Sequence, residues 1–291
     1  MPAPTLTPTL KRAAPKPEPS RPGVQTVCPP SPRCAIRYDV PMPIDYARSL
    51  TAEDRSLRSD RHLGFTLAFV AGAANAGAYL AVKLYTSHMT GLVSSLADHI
   101  ALGELTLALS AFGAVLSFLL GATTCALMVN YAKRRRLHSR YALPLLLEAL
   151  LLLVFGLLGA RLAGMQALFV PVTVMLLCFI MGLQNAVITK ISGAVVRTTH
   201  LTGVITDLGI EIGRLLYWNR SSRPQDEHVV ADRARLAMLV MMCMYFLLGG
   251  IVGALGFKHL GYLATLPLAA LLVALCLVPI VDDLKNTLQP A

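Results

Sequence analysis

Charged residues are scarce in this chain. Asp, Glu, Lys and Arg together make up 14% of its 291 residues, whereas a soluble domain carries about a quarter. Tryptophan occurs once, and 55% of the residues are hydrophobic. This composition excludes an ordinary soluble globular domain and is typical of a membrane protein. Six segments that are almost free of charge approach or exceed the roughly 20 residues needed to cross the hydrocarbon core: 64–82, 105–132, 141–160, 162–189, 236–257 and 260–281. We therefore predict an all-α, polytopic protein with six transmembrane helices.

Signatures of catalysis and of cofactor binding are also missing. The chain contains no nucleophile elbow, P-loop, dinucleotide-binding or HExxH motif. Cys28 and Cys34 are spaced more widely than the usual zinc-ligand pair and lack the second pair that a zinc site requires. The other four cysteines occur singly in different apolar segments and are interpreted as packing residues. The sequence therefore predicts no cofactor, no metal site and no enzyme.

The N-terminal segment, 1–60, has no apolar periodicity. It is rich in Pro, Lys, Arg and Ser, and it contains no hydrophobic stretch of the kind found in a secretory signal. Such a segment cannot bury enough apolar surface to offset the chain entropy lost on folding. We expect residues 1–60 to form a disordered, Pro-rich cytoplasmic tail.

Basic residues are distributed unequally between the two sides of the predicted membrane domain. One side receives Arg55, Arg58, Arg61, Lys133, Arg134, Arg135, Arg136, Arg140 and the Lys and Arg residues of the 190–235 connection, whereas the other receives only Lys83, Arg161 and Lys258. The positive-inside rule then places both termini in the cytoplasm. A basic face beside anionic lipid accounts for the net charge of +10. The bilayer is thus the expected partner, and nucleic acid is not.

One block of sequence occurs twice. Residues 69–91 read FVAGAANAGAYLAVKLYTSHMTG and residues 179–203 read FIMGLQNAVITKISGAVVRTTHLTG. Asn75 aligns with Asn185 and Gly91 with Gly203, so the second copy is slightly longer between these points. Each copy begins a unit with three predicted spans, 61–160 and 161–285. Because three is odd, the second unit must enter the membrane from the opposite side, so we predict two inverted three-helix repeats of the kind common in secondary transporters.

A short polar break lies inside each repeat, at the Thr-Gly motif. Thr90 and Thr202 each precede a segment too short to span a membrane, and a threonine in this position is typical of a helix N-cap. We predict a long helix, a break and a half-helix in each repeat. Broken helices are tolerated at membrane depth only where protein or a water-filled cavity satisfies the freed backbone groups. The two breaks are therefore candidate binding sites.

The candidate ligand-binding residues recur in pairs around these breaks. Asn75 and Asn185 either bind a ligand or form interhelical hydrogen bonds that hold the helices together. His88 and His200 occupy the same place in the two copies, and each is either a ligand or proton carrier or a satisfied interfacial histidine. Whether these side chains face a cavity discriminates between the alternatives.

Acidic residues follow both breaks. Asp98 lies beside His99 in the first copy, whereas Asp207, Glu211 and Arg214 share one helical face in the second. Arg214 could neutralise one of these two carboxylates but not both. Ionisable groups in or beside a span indicate function by default, although this face would also suit a half-helix lying wet at the membrane interface. Glu148 is placed deepest in a span and is the best isolated candidate for a protonatable carboxylate. A salt bridge to a neighbouring helix would equally explain an acid at this position.

The duplicated motifs resemble the YoaK-like family of bacterial inner-membrane proteins, which carry a conserved domain of unknown function. The resemblance covers about residues 64–282 and depends on FVAGAANAGAYL with SHMTG and on MGLQNAVITKISGAVVRTTHLTGVITDLG. It implies a multi-pass protein of the bacterial inner membrane and no particular substrate or reaction. Many relatives have Asp at the position of Asn75 and Asn at that of Leu92, which weakens any proton-coupling scheme built on Asn75.

Three functions are compatible with these features. The first is a secondary transporter or permease for a small solute or ion, with its site between the repeats. The alternative is a non-transporting membrane partner or sensor, whose basic tail and 214–235 loop bind cytosolic proteins or lipid. An intramembrane enzyme that uses His88 or His200 with a carboxylate is the least favoured.

Overall fold

The computed structural model describes residues 57–135, 140–162, 166–191, 201–217 and 229–288. The predicted tail, residues 1–60, lies almost wholly outside these ranges, as does His200. Every regular element in the described ranges is helical. The helices are α1 (Leu57–Val82), α2 (Met89–Ala101), α3 (Leu105–Arg134), α4 (Ala142–Leu162), α5 (Gln166–Ile191), α6 (Leu201–Leu216), α7 (Arg233–Leu260) and α8 (Thr265–Leu288), with a 3₁₀ turn at Gly261–Ala264 between the last two.

Five segments of the described chain are long and apolar enough to cross a membrane. They are Arg61–Val82, Leu105–Arg134, Ala142–Gly159, Val170–Lys190 and Arg233–Leu277. The last runs from α7 through the 3₁₀ turn into α8 and so contains two of the predicted spans. Gly261 interrupts it with a φ of +60°, a conformation that glycine adopts without steric cost. The prediction of an all-helical membrane protein is thus confirmed at the level of five candidate spanning segments.

Two helices are too short to span. α2 has 13 residues and α6 has 16, which correspond to about 20 and 24 Å at the α-helical rise, against a hydrocarbon core of about 30 Å. α2 follows the predicted break directly, and α6 begins where the second predicted break ends. Each short helix packs on the long helix that follows it, α2 on α3 and α6 on α7. The short helices predicted after the His-x-Thr-Gly motifs are therefore present.

The threonine caps predicted for these short helices are wrong. α2 begins at Met89 with His88 as its N-cap residue, and no side chain caps it. The backbone N–H of Leu92 donates to the His88 carbonyl at 3.1 Å, so the first helical turn closes ahead of the expected position. Thr90 and Thr202 are each the second residue of their helix, so neither hydroxyl stands where it could satisfy the free amides of the first turn.

The core draws on both halves of the chain. α1 packs most extensively against α7, α3 against α5, and α4 against α8. One buried apolar cluster contains Leu67 of α1, Cys125 of α3, Leu145 of α4, Met181 of α5 and Leu272 of α8. Because each main pair joins a helix of residues 57–162 to one of residues 166–288, neither half could bury its apolar faces alone.

Candidate functional site

Asn75 ties the first break back to the helix before it. Its Oδ1 accepts hydrogen bonds from Ser87 Oγ at 2.9 Å and from the Ser87 backbone N–H at 3.4 Å. Asn75 is buried, whereas His88 and Thr90 at the end of the break are exposed. Of the two alternatives for Asn75, the described contacts therefore favour the structural one, in which its amide holds the loop in place.

Asn185 occupies the equivalent position in the second repeat but differs in its contacts. Its side chain is buried, and Oδ1 has no hydrogen-bond partner among the described residues. The position equivalent to Ser87 is Thr199, which lies outside those residues together with His200. Among the described residues, the Asn75 amide oxygen thus has a partner and the Asn185 amide oxygen has none.

Gln184 is a buried polar residue that the sequence interpretation missed. Its Nε2 donates to the Leu67 carbonyl at 3.2 Å, which joins α5 to α1. Its Oε1 has no partner in the described part of the chain. The available signal was its position beside Asn185 in the repeated Gly-x-x-Asn motif, where the first copy has Ala74.

Glu148 is fully buried on α4 among the apolar residues of the core. Neither of its carboxylate oxygens has a hydrogen-bond partner among the described residues. α4 and α8 share a Leu-Pro-Leu motif at 143–145 and 266–268, and in this register Leu271 stands where α4 has Glu148. The acid is therefore an addition to one half of the duplicated frame, and its burial agrees with the depth expected from the sequence.

The first short helix ends in a close polar contact. His99 Nδ1 lies 2.6 Å from Glu104 Oε2, and Glu104 is the N-cap residue of α3. Asp98, its sequence neighbour, is exposed. His99 therefore joins α2 to α3, and the described structure places Asp98 outside that contact.

The second short helix is held by a network of charges. Glu211 is 1% exposed and receives Arg214 Nη1 at 2.9 Å and the Asp232 backbone N–H at 3.1 Å. Asp207 pairs with Arg235 of α7 at 3.0 Å, with both side chains nearly half exposed. Arg214 was expected from the sequence as the partner of one carboxylate. Arg235 was missed, because it lies 28 residues beyond Asp207 in the chain.

Thr202 is exposed on α6 and makes no side-chain contact with this network. Its carbonyl accepts a hydrogen bond from the Thr206 hydroxyl at 2.8 Å, within the same helix. The candidate site residues within the described ranges differ in burial. Asn75, Asn185 and Glu211 are buried, whereas His88, Thr90, Asp98 and Thr202 are exposed and Asp207 is half-exposed.

A cleft of about 340 Å³ opens beside the first break. It lies between the break, α2, α3 and the start of α5. Its wall is mostly apolar, and its polar side chains are Lys83, Ser95, His99 and Ser110. Lys83 has a φ of +58°, and no other non-glycine residue of the described chain has a positive φ. Strain of this kind in a non-glycine residue is concentrated at functional sites.

No group of three or more His, Cys, Asp or Glu side chains in the described ranges could hold a metal ion. Cys125, Cys178 and Cys276 are buried and free, and Cys243 is partly buried and free. Each lies on a different helix, in agreement with the interpretation of these cysteines as packing residues.

Comparison with known proteins identifies the family. A family model described as "Protein of unknown function (DUF1275)" matches residues 63–278. The UPF0700 transmembrane protein YoaK of Bacillus subtilis (strain 168) is 27% identical over 192 residues, which cover 65% of this chain and 80% of that relative. No solved structure matches the chain. The family match covers well over half of the sequence and agrees with the resemblance carried by the duplicated motifs, so the chain belongs to the DUF1275 family as a YoaK-like membrane protein.

Proposed function

We propose that this chain is a secondary transporter for a small solute or ion, with six crossings arranged as two inverted three-helix repeats. The repeats comprise α1, α3 and α4 in the first half and α5, α7 and α8 in the second, with α2 and α6 as their half-helices. In this arrangement both termini are cytoplasmic, the first break faces outward and the second faces inward. The distribution of Lys and Arg supports that orientation.

The helix crossings support the repeat relation. At the crossing of α1 with α7, a Cβ on Gly72 would meet the Phe246 carbonyl oxygen, and a Cβ on Gly249 would meet that of Phe69. Each helix thus places a Phe-x-x-Gly motif at the crossing. The glycine of each motif lacks a side chain and so lets the backbone of the other helix approach closely.

The crossing of α3 with α5 has the same reciprocal geometry. There, a Cβ on Gly121 would meet the Phe179 carbonyl oxygen, and a Cβ on Gly182 would meet that of Phe118. Four Phe-x-x-Gly motifs thus form two matching crossings, and each crossing joins the first helix of one repeat to the second long helix of the other. Two units related in this way can rock against each other, as in alternating access.

The burial of the Glu148 carboxylate without a described partner is the main observation that supports the transport proposal. A buried polar group without a partner costs about 1–3 kcal/mol, and more if it is charged. Gln184 Oε1 adds a further acceptor without a partner in the described part of the chain. A protein that served only as a membrane scaffold could replace Glu148 by an apolar side chain at no loss of stability. Intramembrane ionisable residues of this kind mark ion and substrate pathways.

The structure alters the residues assigned to that pathway. Asp207, favoured by its position after the second break, is paired with Arg235 and half-exposed. Glu148 is fully buried without a described partner. We therefore assign the central acidic role to Glu148, with Gln184 and Asn185 as the accompanying acceptors.

Transport can be tested with the full chain in liposomes that contain a trapped pH-sensitive dye. Gradients of amino acids, monocarboxylates, sodium or potassium are imposed in turn, and proton movement is recorded. We expect at least one gradient to drive proton flux above that of protein-free liposomes, and Glu148→Gln to abolish it.

Asp207→Asn is the matched control for this test, because it removes the charge of an acid that is nearly half exposed and paired with Arg235, and it should retain the flux. Wild-type flux equal to that of empty liposomes for every gradient would contradict the proposal and favour the non-transporting partner or sensor. Unchanged flux in Glu148→Gln would remove this carboxylate from the mechanism.

A further inference from the structure

The cleft beside the first break combines an apolar wall with one cationic end. Leu84, Leu92, Val174 and Met175 contribute to the wall. Lys83 supplies the cation: its side chain is exposed, and its Nζ lies 5.8 Å from the centre of the Tyr79 ring. This is the composition of a small-molecule pocket, in which a largely hydrophobic lining is combined with a few polar groups that orient the ligand.

The polar groups of the cleft favour an anion. Lys83 carries a full positive charge and is the only Lys or Arg that lines the cleft in the described chain. Ser95 provides a hydroxyl donor. His99 uses Nδ1 in its contact with Glu104, which leaves Nε2 as the other polar atom of the ring.

The size of the cleft selects among anions that have an apolar part. About 340 Å³ lies near the lower end of the range for small-molecule sites, about 300–1,000 Å³. One short alkyl or aromatic group fits this space, whereas the two long acyl chains of a phospholipid exceed it. Residues of the break, α2, α3 and the start of α5 line the cleft, so several elements contribute to its apolar surface.

We infer that this cleft binds a small amphipathic monocarboxylate, with its carboxylate at Lys83 and its apolar part against Leu84, Val174 and Met175. The inference rests on the proposed function in one respect, because it names the chemical class of the cargo. Binding itself can be measured without any transport. The left-handed backbone of Lys83 then has a role, since it sets the direction in which the ammonium group leaves the end of α1.

The test uses octanoate as the probe and the purified full chain in detergent. Binding of radiolabelled octanoate is measured by scintillation proximity, with octanol and dioleoyl phosphatidylglycerol as competitors. We expect saturable octanoate binding that an excess of unlabelled octanoate displaces. Octanol and the phospholipid should displace it weakly. Competition by octanol equal to that by octanoate would overturn the charge recognition, and stronger competition by the phospholipid would show that lipid occupies the cleft.

Substitutions at Lys83 separate its charge from its backbone conformation. Lys83→Gly removes the ammonium and accepts the positive φ without strain, so it should fold at least as well as wild type and bind octanoate about fivefold more weakly, the loss of about 1 kcal/mol expected for a partly exposed ion pair. Lys83→Arg should bind as wild type does. Lys258→Ala, which changes an exposed lysine outside the cleft, is the matched control.

Charge reversal gives the sharpest outcome. Lys83→Glu should lose saturable octanoate binding and acquire binding of octylammonium, which wild type lacks. Unchanged octanoate binding in both Lys83→Gly and Lys83→Glu would overturn the inference. If octanoate fails to bind while Glu148-dependent proton flux persists, the cargo assignment alone is wrong. If octanoate binds but no gradient drives flux, the transport proposal fails and the binding site stands.

Discussion

The two short helices occupy equivalent positions in the duplicated sequence but carry different chemistry. Ser95 and His99 of α2 correspond to Asp207 and Glu211 of α6, in the register set by the Thr-Gly motifs. An acid is the N-cap residue of both following helices, Glu104 of α3 and Asp232 of α7, but only the Asp232 side chain accepts hydrogen bonds from its first turn.

Around α2, His99 contacts Glu104, and Ser95 and His99 line the cleft beside the first break. Around α6, Arg214 and Arg235 pair with the carboxylates of Glu211 and Asp207, and the Asp232 backbone N–H donates to Glu211, so that α6 is held against α7. The duplicated sequence thus fixes the positions of these polar groups. The residue types at those positions decide whether a cleft opens beside the short helix or a charge network joins it to the next helix.

Glycine substitutions at the helix crossings should have the largest effect on stability. Gly182→Ala and Gly72→Ala each place a methyl group against an opposing backbone carbonyl, which cannot rotate away as a side chain can. Each should destabilise the fold by about 1–3 kcal/mol, the usual cost of overpacking. The measurement is denaturation of the purified protein in detergent.

Gly209→Ala is the matched control for the crossing variants. This glycine is also helical, but a Cβ there meets nothing within 4 Å, so alanine should be neutral or should stabilise α6 by up to about 1 kcal/mol. If Gly182→Ala and Gly209→Ala were equally stable to denaturation, the crossing of α3 with α5 would not be close-packed. A large effect of Gly182→Ala without one of Gly72→Ala would break the equivalence of the two crossings.

Glu211→Gln should reduce the stability of the protein by an intermediate amount, and the effect should be confined to α6 and the start of α7. The change removes a buried charge that receives Arg214 and the Asp232 N–H, and we expect a loss of about 1–2 kcal/mol with faster hydrogen exchange in α6. Asp207→Asn removes only a half-exposed ion pair with Arg235, so its cost should be at most about 1 kcal/mol. The reverse order of the two effects would mean that the exposed pair, rather than the buried one, holds α6.

Much of this architecture follows from the sequence, because long apolar segments and a duplicated motif are properties of the chain itself. The short helices after the His-x-Thr-Gly motifs were predictable for the same reason. The threonine caps were wrong, since the helix starts are set by backbone geometry around His88 that a threonine-glycine pair alone does not determine.

Contacts between side chains that are distant in the chain could not be predicted from the sequence alone. Arg235 of α7 pairs with Asp207 of α6, and Gln184 of α5 donates to a backbone carbonyl of α1. The cleft was missed for a related reason. It is formed by the break, α2, α3 and the start of α5, and no local pattern records that these segments meet.

The central claim is that the two breaks face opposite sides of the membrane, and cysteine accessibility tests it most directly. Thr90 and Thr202 are equivalent and exposed, so each can be replaced by cysteine in a background with Cys28, Cys34 and Cys243 changed to serine. A membrane-impermeant maleimide is applied to intact cells and to inverted vesicles. We expect Thr90→Cys to be labelled in intact cells and Thr202→Cys only in inverted vesicles. Labelling of both positions from the same side would contradict the inverted repeats and the transport scheme built on them.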